Sequence, residues 1–197
     1  MRREAPAAAR NRQPILEVLQ PRLPTEGLVL EIASGTGEHV VHYAAARPGL
    51  VFQPSDPDAD ARASIDDWVR TLGLANVRPA LEIDVTRPVW PVERADAVLC
   101  CNMIHIAPWD AAIGLVEGAA RLLPTGGLLF TYGPYRREGR HTAPSNEAFD
   151  ADLRRRNPAW GVRDLEAVVD LAGKAGFSPP EIVEMPANNL SLLFKRL

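Results

Sequence analysis

The chain has little cysteine, almost no lysine and few aromatic residues. Two cysteines in 197 residues exclude a disulfide scaffold. Cys100 and Cys101 are neighbours in the apolar run Ala97-Val98-Leu99-Cys100-Cys101, where a bridge between them would be strained. They read as reduced core thiols, so a cytoplasmic location is expected. Lys174 and Lys195 are the only lysines among 22 basic residues, which face 25 acidic ones. A net charge of −3 leaves no field that would gather polyphosphate, and this argues against nucleic acid as a partner. No stretch approaches the roughly 18 apolar residues of a membrane span, and no membrane partner is expected. Residues 5–9, behind the basic start Met1-Arg2-Arg3-Glu4, are too short and too weakly apolar for a signal-peptide core. What remains is a globular composition, 46% hydrophobic and 24% charged, without repeats or low-complexity tracts. A chain of this length buries about 70% of its unfolded surface, and one domain over residues 1–197 is expected.

Short apolar runs at 28–32, 50–53, 77–83, 97–101 and 128–132 alternate with helical patterns at 37–47, 58–72 and 110–123. The first, fourth and fifth runs are continuous rather than alternating, as strands covered on both faces should be. This order predicts an α/β fold, a doubly wound and mostly parallel sheet with right-handed crossovers. Near the end, runs at 182–185 and 190–194 are separated only by Pro186-Ala187-Asn188-Asn189, a turn short enough for a hairpin, so the last strand should run antiparallel. A helix at about 10–20, with Asn11 near its start, precedes the first strand, and another is expected at 164–175. Between the fifth run and this last helix the segment 133–163, rich in Gly, Pro, Asn and Arg, is longer than a connection requires and reads as a lid-like excursion.

The chemistry begins at Glu31-Ile32-Ala33-Ser34-Gly35-Thr36-Gly37, a strand running into a glycine turn and then a helix. Glycines there allow close backbone approach to a ligand, and the helix start offers free N–H donors. A dinucleotide fingerprint needs a third glycine where Val40 stands, and acids at the next strand ends, Asp56 and Asp84, would repel a pyrophosphate. S-adenosylmethionine carries a sulfonium and an ammonium and no phosphate, and suits such a rim. Asp56 lies about 20 residues past the turn, where an acid reaches ribose hydroxyls. Glu31 can hold the turn and the amino-acid end of the ligand, and Asp84, with Val85 beside it, can meet the adenine amine. Ala33, Ser34, Gly35 and Gly37 form the cradle.

With its Glu31-x-Ala33-x-Gly35-x-Gly37 loop, the chain resembles class I S-adenosylmethionine-dependent methyltransferases, Ala33 replacing the first glycine of their pattern. The stretches Arg10-Asn11-Arg12, Asn102-Met103-Ile104-His105-Ile106, Gly139-Arg140-His141-Thr142-Ala143-Pro144-Ser145-Asn146 and Met185-Pro186-Ala187-Asn188-Asn189 are similar to the methyltransferase-like protein 26 family, whose bacterial members are carried as a domain of unknown function. The resemblance spans nearly the whole chain. It implies a Rossmann-like seven-stranded sheet with a reversed last strand and S-adenosyl-L-methionine as cofactor, and it names no acceptor.

Methyl transfer asks mainly for alignment, exclusion of water and, for a protonated acceptor, removal of a proton. His105 is the candidate general base, set against a role as a loop brace. Asn102, Met103 and Asn11 are candidates for the cofactor wall. Tyr132 and Tyr135, with Trp109 and Trp160 nearby, are candidates for an acceptor pocket, and Arg136, Arg140 and His141 for recognising an acidic or strongly polar group on a small-molecule acceptor. His39 and His42 share a helix face without a completing ligand, so no metal site is expected and the pair reads as helix surface and pocket edge. Oligomeric state is left open. Two other readings compete: a non-catalytic S-adenosylmethionine-binding module acting through a protein partner, and a nicotinamide oxidoreductase, which the missing glycine and the acidic rim disfavour.

Overall fold

The computed structural model describes residues 2–197. Its main sheet contains β1 (Gly27–Ile32), β2 (Leu50–Pro54), β3 (Ala97–Cys101), β4 (Leu128–Gly133), β8 (Glu181–Met185) and β9 (Asn189–Lys195), in the order β2-β1-β3-β4-β9-β8. The strands β2, β1, β3 and β4 pair in parallel, while β9 runs against both β4 and β8. The α/β class and the reversed last strand are as expected from the sequence.

The strand count differs. The run at 77–83 forms no continuous strand and meets β2 and the residue after it only through isolated bridges, Phe52 with Val77 and Ser55 with Leu81, so among the described residues the sheet has six strands rather than seven. Two prolines explain the interruption. Pro54 has no N–H to give to its neighbour, and after Pro79 the amide of Ala80 turns away to Asp66 Oδ1, leaving Leu81 N–H to take the Pro54 carbonyl.

Helices cover both faces, each with its own buried apolar layer. On one side pack α1 (Pro6–Leu19), α2 (Glu38–Ala46) and α3 (Ala59–Leu72), with Ile15, Leu19, Tyr43 and Phe52 fully buried. On the other lie α4 (Trp109–Leu122) and α6 (Leu165–Lys174) over Leu30, Val98, Leu129 and Phe194. The first helix starts earlier than expected, because Pro6 suits a helix start and Ala7 to Ala9 are strong helix formers. Asn11 therefore sits inside α1 rather than near its start.

No helix links residue 83 to β3. The loop that replaces it lies against α4, and two glycines make room for it. A side chain at Gly114 would meet the Val85 carbonyl at 2.1 Å, and one at Gly118 would meet the Trp90 ring at 2.2 Å. The segment 133–163 is built rather than loose: β5 (Tyr135–Arg137), β6 (Arg140–His141) and β7 (Arg163–Asp164) make a small second sheet, and α5 (Pro144–Arg156) packs on it. No helix among the described residues is long and apolar enough to cross a membrane.

Candidate functional site

The site lies at the carboxyl ends of the parallel strands, where such sheets leave a crevice. Buried hydroxyls hold β1 and β2 together there. Ser55 Oγ donates to the Glu31 carbonyl at 2.8 Å, Ser34 Oγ donates to the same carbonyl, and Ser34 N–H bonds the Ser55 carbonyl at 2.9 Å. The turn that follows is left-handed at Ala33 (φ 54°), Gly35 (58°) and Gly37 (93°). The two glycines differ in kind. A Cβ on Gly37 would strike the α3 backbone at Ile65, 2.9 Å away, so this glycine lets two helices approach. A Cβ on Gly35 would meet nothing within 4 Å, so that side of the turn faces open space.

Asp56 closes the turn. Its Oδ2 accepts from Gly35 N–H at 3.0 Å and its Oδ1 from Asp58 N–H at 2.9 Å; burial nevertheless pushes its pKa up against those two donors. Asp56 and Asp84 share a cavity of about 320 Å³ with Ile32, Ile83, Met103 and Ile106. Ala33 and Val85 also line it. Asp84 is braced by Thr86, whose hydroxyl and backbone N–H both donate to Oδ1 and hold the carboxyl below the usual range.

Glu31 stands apart from that cavity. Strand alternation turns it towards α1 and α2, where it is 2% exposed and its Oε2 has no partner. Burial pushes its pKa up to about 8 against a hydrogen bond from Ser34, with the nearby Asp56 charge adding to the rise. The three acids expected to line one crevice are thus split, Asp56 and Asp84 on one side of the glycine turn and Glu31 on the other. On Glu31's face the sheet also presents Cys101 and Tyr132. The Tyr132 hydroxyl lies within hydrogen-bonding reach of the Asn11 and Asn189 side chains, and Asn11 Oδ1 meets His39 Nε2 at 2.7 Å. Burial lowers the His39 pKa to about 4, so its ring is neutral and Nε2–H is the donor. Asn11 and Tyr132 therefore meet at the site, joined by His39, which had been read as a pocket edge, and by Asn189, which had been read only as part of a turn.

Asn102 adopts a left-handed conformation (φ 62°) and opens a short 3-10 turn, Met103–His105, beside the crevice. His105 is fully buried. Its Nδ1 accepts from Arg163 N–H at 3.2 Å, so the neutral ring carries its proton on Nε2, which has no partner. Burial, with the Arg163 charge beside it, lowers its pKa to about 3. This geometry is that of the brace and not of an exposed base near neutral pH.

The acceptor-side expectations need more correction. Tyr135 is fully buried in the core, its hydroxyl bonded to Thr131 Oγ1 at 2.8 Å and its ring edge-on to His105. It cannot wall a pocket without leaving the core. Alternation along the hairpin splits Arg136, Arg140 and His141: Arg136 and His141 are opposite one another in the β5–β6 register and share a face, whereas Arg140, opposite Arg137, lies on the other. Arg136 pairs with Asp164 at 2.8 Å, Arg140 is exposed at the hairpin end, and His141 lies 3.6 Å from Asp150. Arg137, on the opposite side of β5 from Arg136, instead faces the Pro186–Asn188 turn across a cavity of about 200 Å³ shared with Thr142, Asn188 and Asn189.

A family model described as "Protein of unknown function (DUF938)" matches residues 2–196. The chain belongs to this family. Among solved structures the DUF938 chain is similar to an O-methyltransferase family protein from Burkholderia thailandensis, with a TM-score of 0.81 and 19% identity over 96% of this chain and 57% of that one. A putative O-methyltransferase from Nostoc punctiforme matches with a TM-score of 0.83 and 18% identity, covering 95% and 56%. Human N-acetylserotonin methyltransferase, solved in complex with SAM, matches with a TM-score of 0.74 and 15% identity, covering 94% and 51%. At these identities the likeness establishes the fold, that of S-adenosylmethionine-dependent methyltransferases. The chain spans little more than half the length of these proteins.

Proposed function

We propose that this DUF938 protein is an S-adenosylmethionine-dependent methyltransferase acting on a small, polar acceptor. The observation that carries this reading is Glu31. A buried carboxyl with one oxygen, Oε2, unpartnered among the described residues, beside a glycine turn whose open side can admit a ligand, fits the ammonium of an amino acid. Acids on both sides of that turn suit a cationic ligand free of phosphate. The motif resemblance to the methyltransferase-like protein 26 family and the cofactor-bearing structural neighbours support the same cofactor.

When bound, the cofactor supplies a methyl group already activated on sulfur, so the chain's own work is to bind, orient and exclude water. Glu31 would hold the ammonium, and Asp56 the ribose hydroxyls through the lone pairs that its backbone donors leave free. Asp84 and Val85 would meet the adenine edge, with Ile32, Ile83 and Met103 as its apolar walls. Ser34, Gly35 and Asn102 would line the path between. Tyr132, fixed by Asn11 and Asn189, would face the acceptor. His105 is a positioning residue in this reading: its ring holds Arg163 N–H, and the Arg163 guanidinium in turn donates to the carbonyls of Ile104 and Ala107.

Calorimetric titration of the whole chain with S-adenosylmethionine, S-adenosylhomocysteine and NAD tests the reading. Saturable binding of the first two and none of NAD is expected, with Gly35→Asn, which tolerates the left-handed backbone but fills the open side, abolishing it. Equal binding of NAD, or no binding of S-adenosylmethionine, would overturn the proposal. Transfer of labelled methyl to a panel of small polar acceptors then separates an enzyme from a module that only binds the cofactor.

A further inference from the structure

The small sheet and α5 put three guanidinium groups around one cavity that the proposed methyl-transfer site does not use. Arg136 from β5, Arg154 from α5 and Arg163 from β7 line a space of about 210 Å³ together with Trp109, Asp164 and Ala167 at the starts of α4 and α6. Like charges are not gathered in this way without cost, and here the carboxylates do not balance them. Asp164 pairs with Arg136 at 2.8 Å and Asp150 with Arg154 at 2.9 Å, which leaves the Arg163 charge without a carboxylate of its own. The hydrogen bonds of Arg163 go to the neutral carbonyls of Ile104, Ala107 and Ala159, and its ring neighbour is Trp109, with the guanidinium carbon 5.7 Å from the ring centre. Burial and the charges of Arg154 and Arg136 lower its pKa, and the Asp150 charge only partly opposes them. Arg136 Nε is buried with no acceptor.

We propose that this cavity is a subsite for a small oxyanion, the phosphate or carboxylate group of a polar metabolite or free inorganic phosphate. Its volume suits one such group, and an anion there would offset the charge of Arg163 that no ion pair balances. Guanidinium side chains from three different elements line it, and a guanidinium offers several N–H donors, so those not held by Asp150, Asp164 and the backbone carbonyls can meet the oxygens of one small anion. The subsite also touches the cofactor side indirectly, because Arg163 is bonded to the carbonyl of Ala107, a residue lining the Asp56–Asp84 cavity. The proposal does not depend on the identity of the cofactor.

The test is calorimetry of the whole chain, without added cofactor, against inorganic phosphate, glycerol 3-phosphate and succinate. Wild-type protein should bind at least one of them saturably. Arg136→Gln and Arg154→Gln should each weaken that binding about tenfold or more, since each removes charge-assisted bonds. Arg140→Gln, which removes an exposed arginine outside the cavity, should leave it unchanged. Should either cavity variant fail to fold, Ala167→Glu, at an exposed helix position on the cavity wall, introduces an opposing charge and should weaken binding to a similar degree. Tighter binding of glycerol 3-phosphate than of phosphate assigns the subsite to an organic phosphate, the reverse to the free ion, and binding of succinate alone to a carboxylate. Absence of saturation with all three probes, or an Arg140→Gln effect equal to that of Arg136→Gln, would overturn the proposal.

Discussion

Replacing Glu31 with Gln should change how the ligand-free protein responds to pH, and by a predictable amount. The folded protein holds the Glu31 proton up to about pH 8, whereas the unfolded chain releases it near 4.5. The unfolded state therefore carries fewer protons across that window, and the contribution of Glu31 to stability, full below 4.5, is lost as pH rises towards 8. The slope is roughly 1 to 2 kcal/mol per pH unit, or about 3 kcal/mol between pH 5.5 and 7.5. Gln cannot ionise and removes this slope. In a domain of this size that difference corresponds to roughly 6 to 10 °C in Tm. Thermal unfolding of wild type and Glu31→Gln at equal ionic strength should show the variant gaining on the wild type at each step from pH 5.5 to 7.5, then levelling off above 8. Parallel curves would refute the reasoning, because they would mean that Glu31 ionises in the folded chain as it does in the unfolded one. The same carboxyl should make cofactor binding proton-linked. A cation beside Glu31 lowers its pKa, so binding expels a proton and affinity should rise by up to about tenfold per pH unit over the same range, below the titration of the ligand's own α-amine near 7.7–8.0. Glu31→Gln should bind more weakly and without that slope.

Asp56→Ala should weaken S-adenosylmethionine binding by about 1 to 3 kcal/mol in calorimetry, since it removes both the ribose partner and the acceptor that fixes Gly35 N–H. Unchanged affinity would remove Asp56 from the site. His105→Gln should flatten the acid limb of the stability profile: the folded pKa of about 3 lies below the unfolded 6.5, so the stability this histidine contributes is present above 6.5 and lost as pH falls towards 3. Denaturant titrations from pH 7 down to 5 check it, and a variant that loses stability in parallel with wild type would contradict the buried neutral ring. Gly118→Ala should destabilise the fold by about 1 to 2 kcal/mol, because the clash with the Trp90 ring at 2.2 Å outweighs a helix-propensity gain of about 1 kcal/mol. A stabilised variant in urea unfolding would show that the Trp90 loop yields.

The parallel core was legible because its strands announce themselves. The runs at 97–101 and 128–132 are continuous and apolar, and a sheet covered by helices on both faces requires that. Where the reading failed, backbone donors decided and not hydrophobicity. The run at 77–83 looks like a strand by composition, yet Pro54 and Pro79 withhold the amides that would pair it, and no apolar pattern reports a missing N–H. The segment 133–163 was legible as an excursion and not as a sheet and helix, because β6 and β7 are two residues each and β7 takes its order from pairing with the distant β5, a contact that no local window contains.

For the site, spacing fixed the level along the sheet but not the side. Glu31, Asp56 and Asp84 follow three successive apolar runs and so reach the same edge. Alternation within β1, however, sends Glu31 with Val29 to the α1–α2 face and Ile32 with Leu30 to the other. That parity is computable from the sequence once Leu30 and Ile32 are taken as facing α4, and it would have placed Glu31 beside Tyr132 and Asn11 rather than beside Asp84. The same rule divides the hairpin, where Tyr135 enters the core, Arg136 turns to Asp164 and Arg137 faces the Pro186–Asn188 turn. A cluster of arginines adjacent in sequence is therefore dispersed by the strand that carries it. What converges in space is one arginine from each of β5, α5 and β7, which is why composition alone could register the excess of positive charge in this segment but not where that charge would be concentrated.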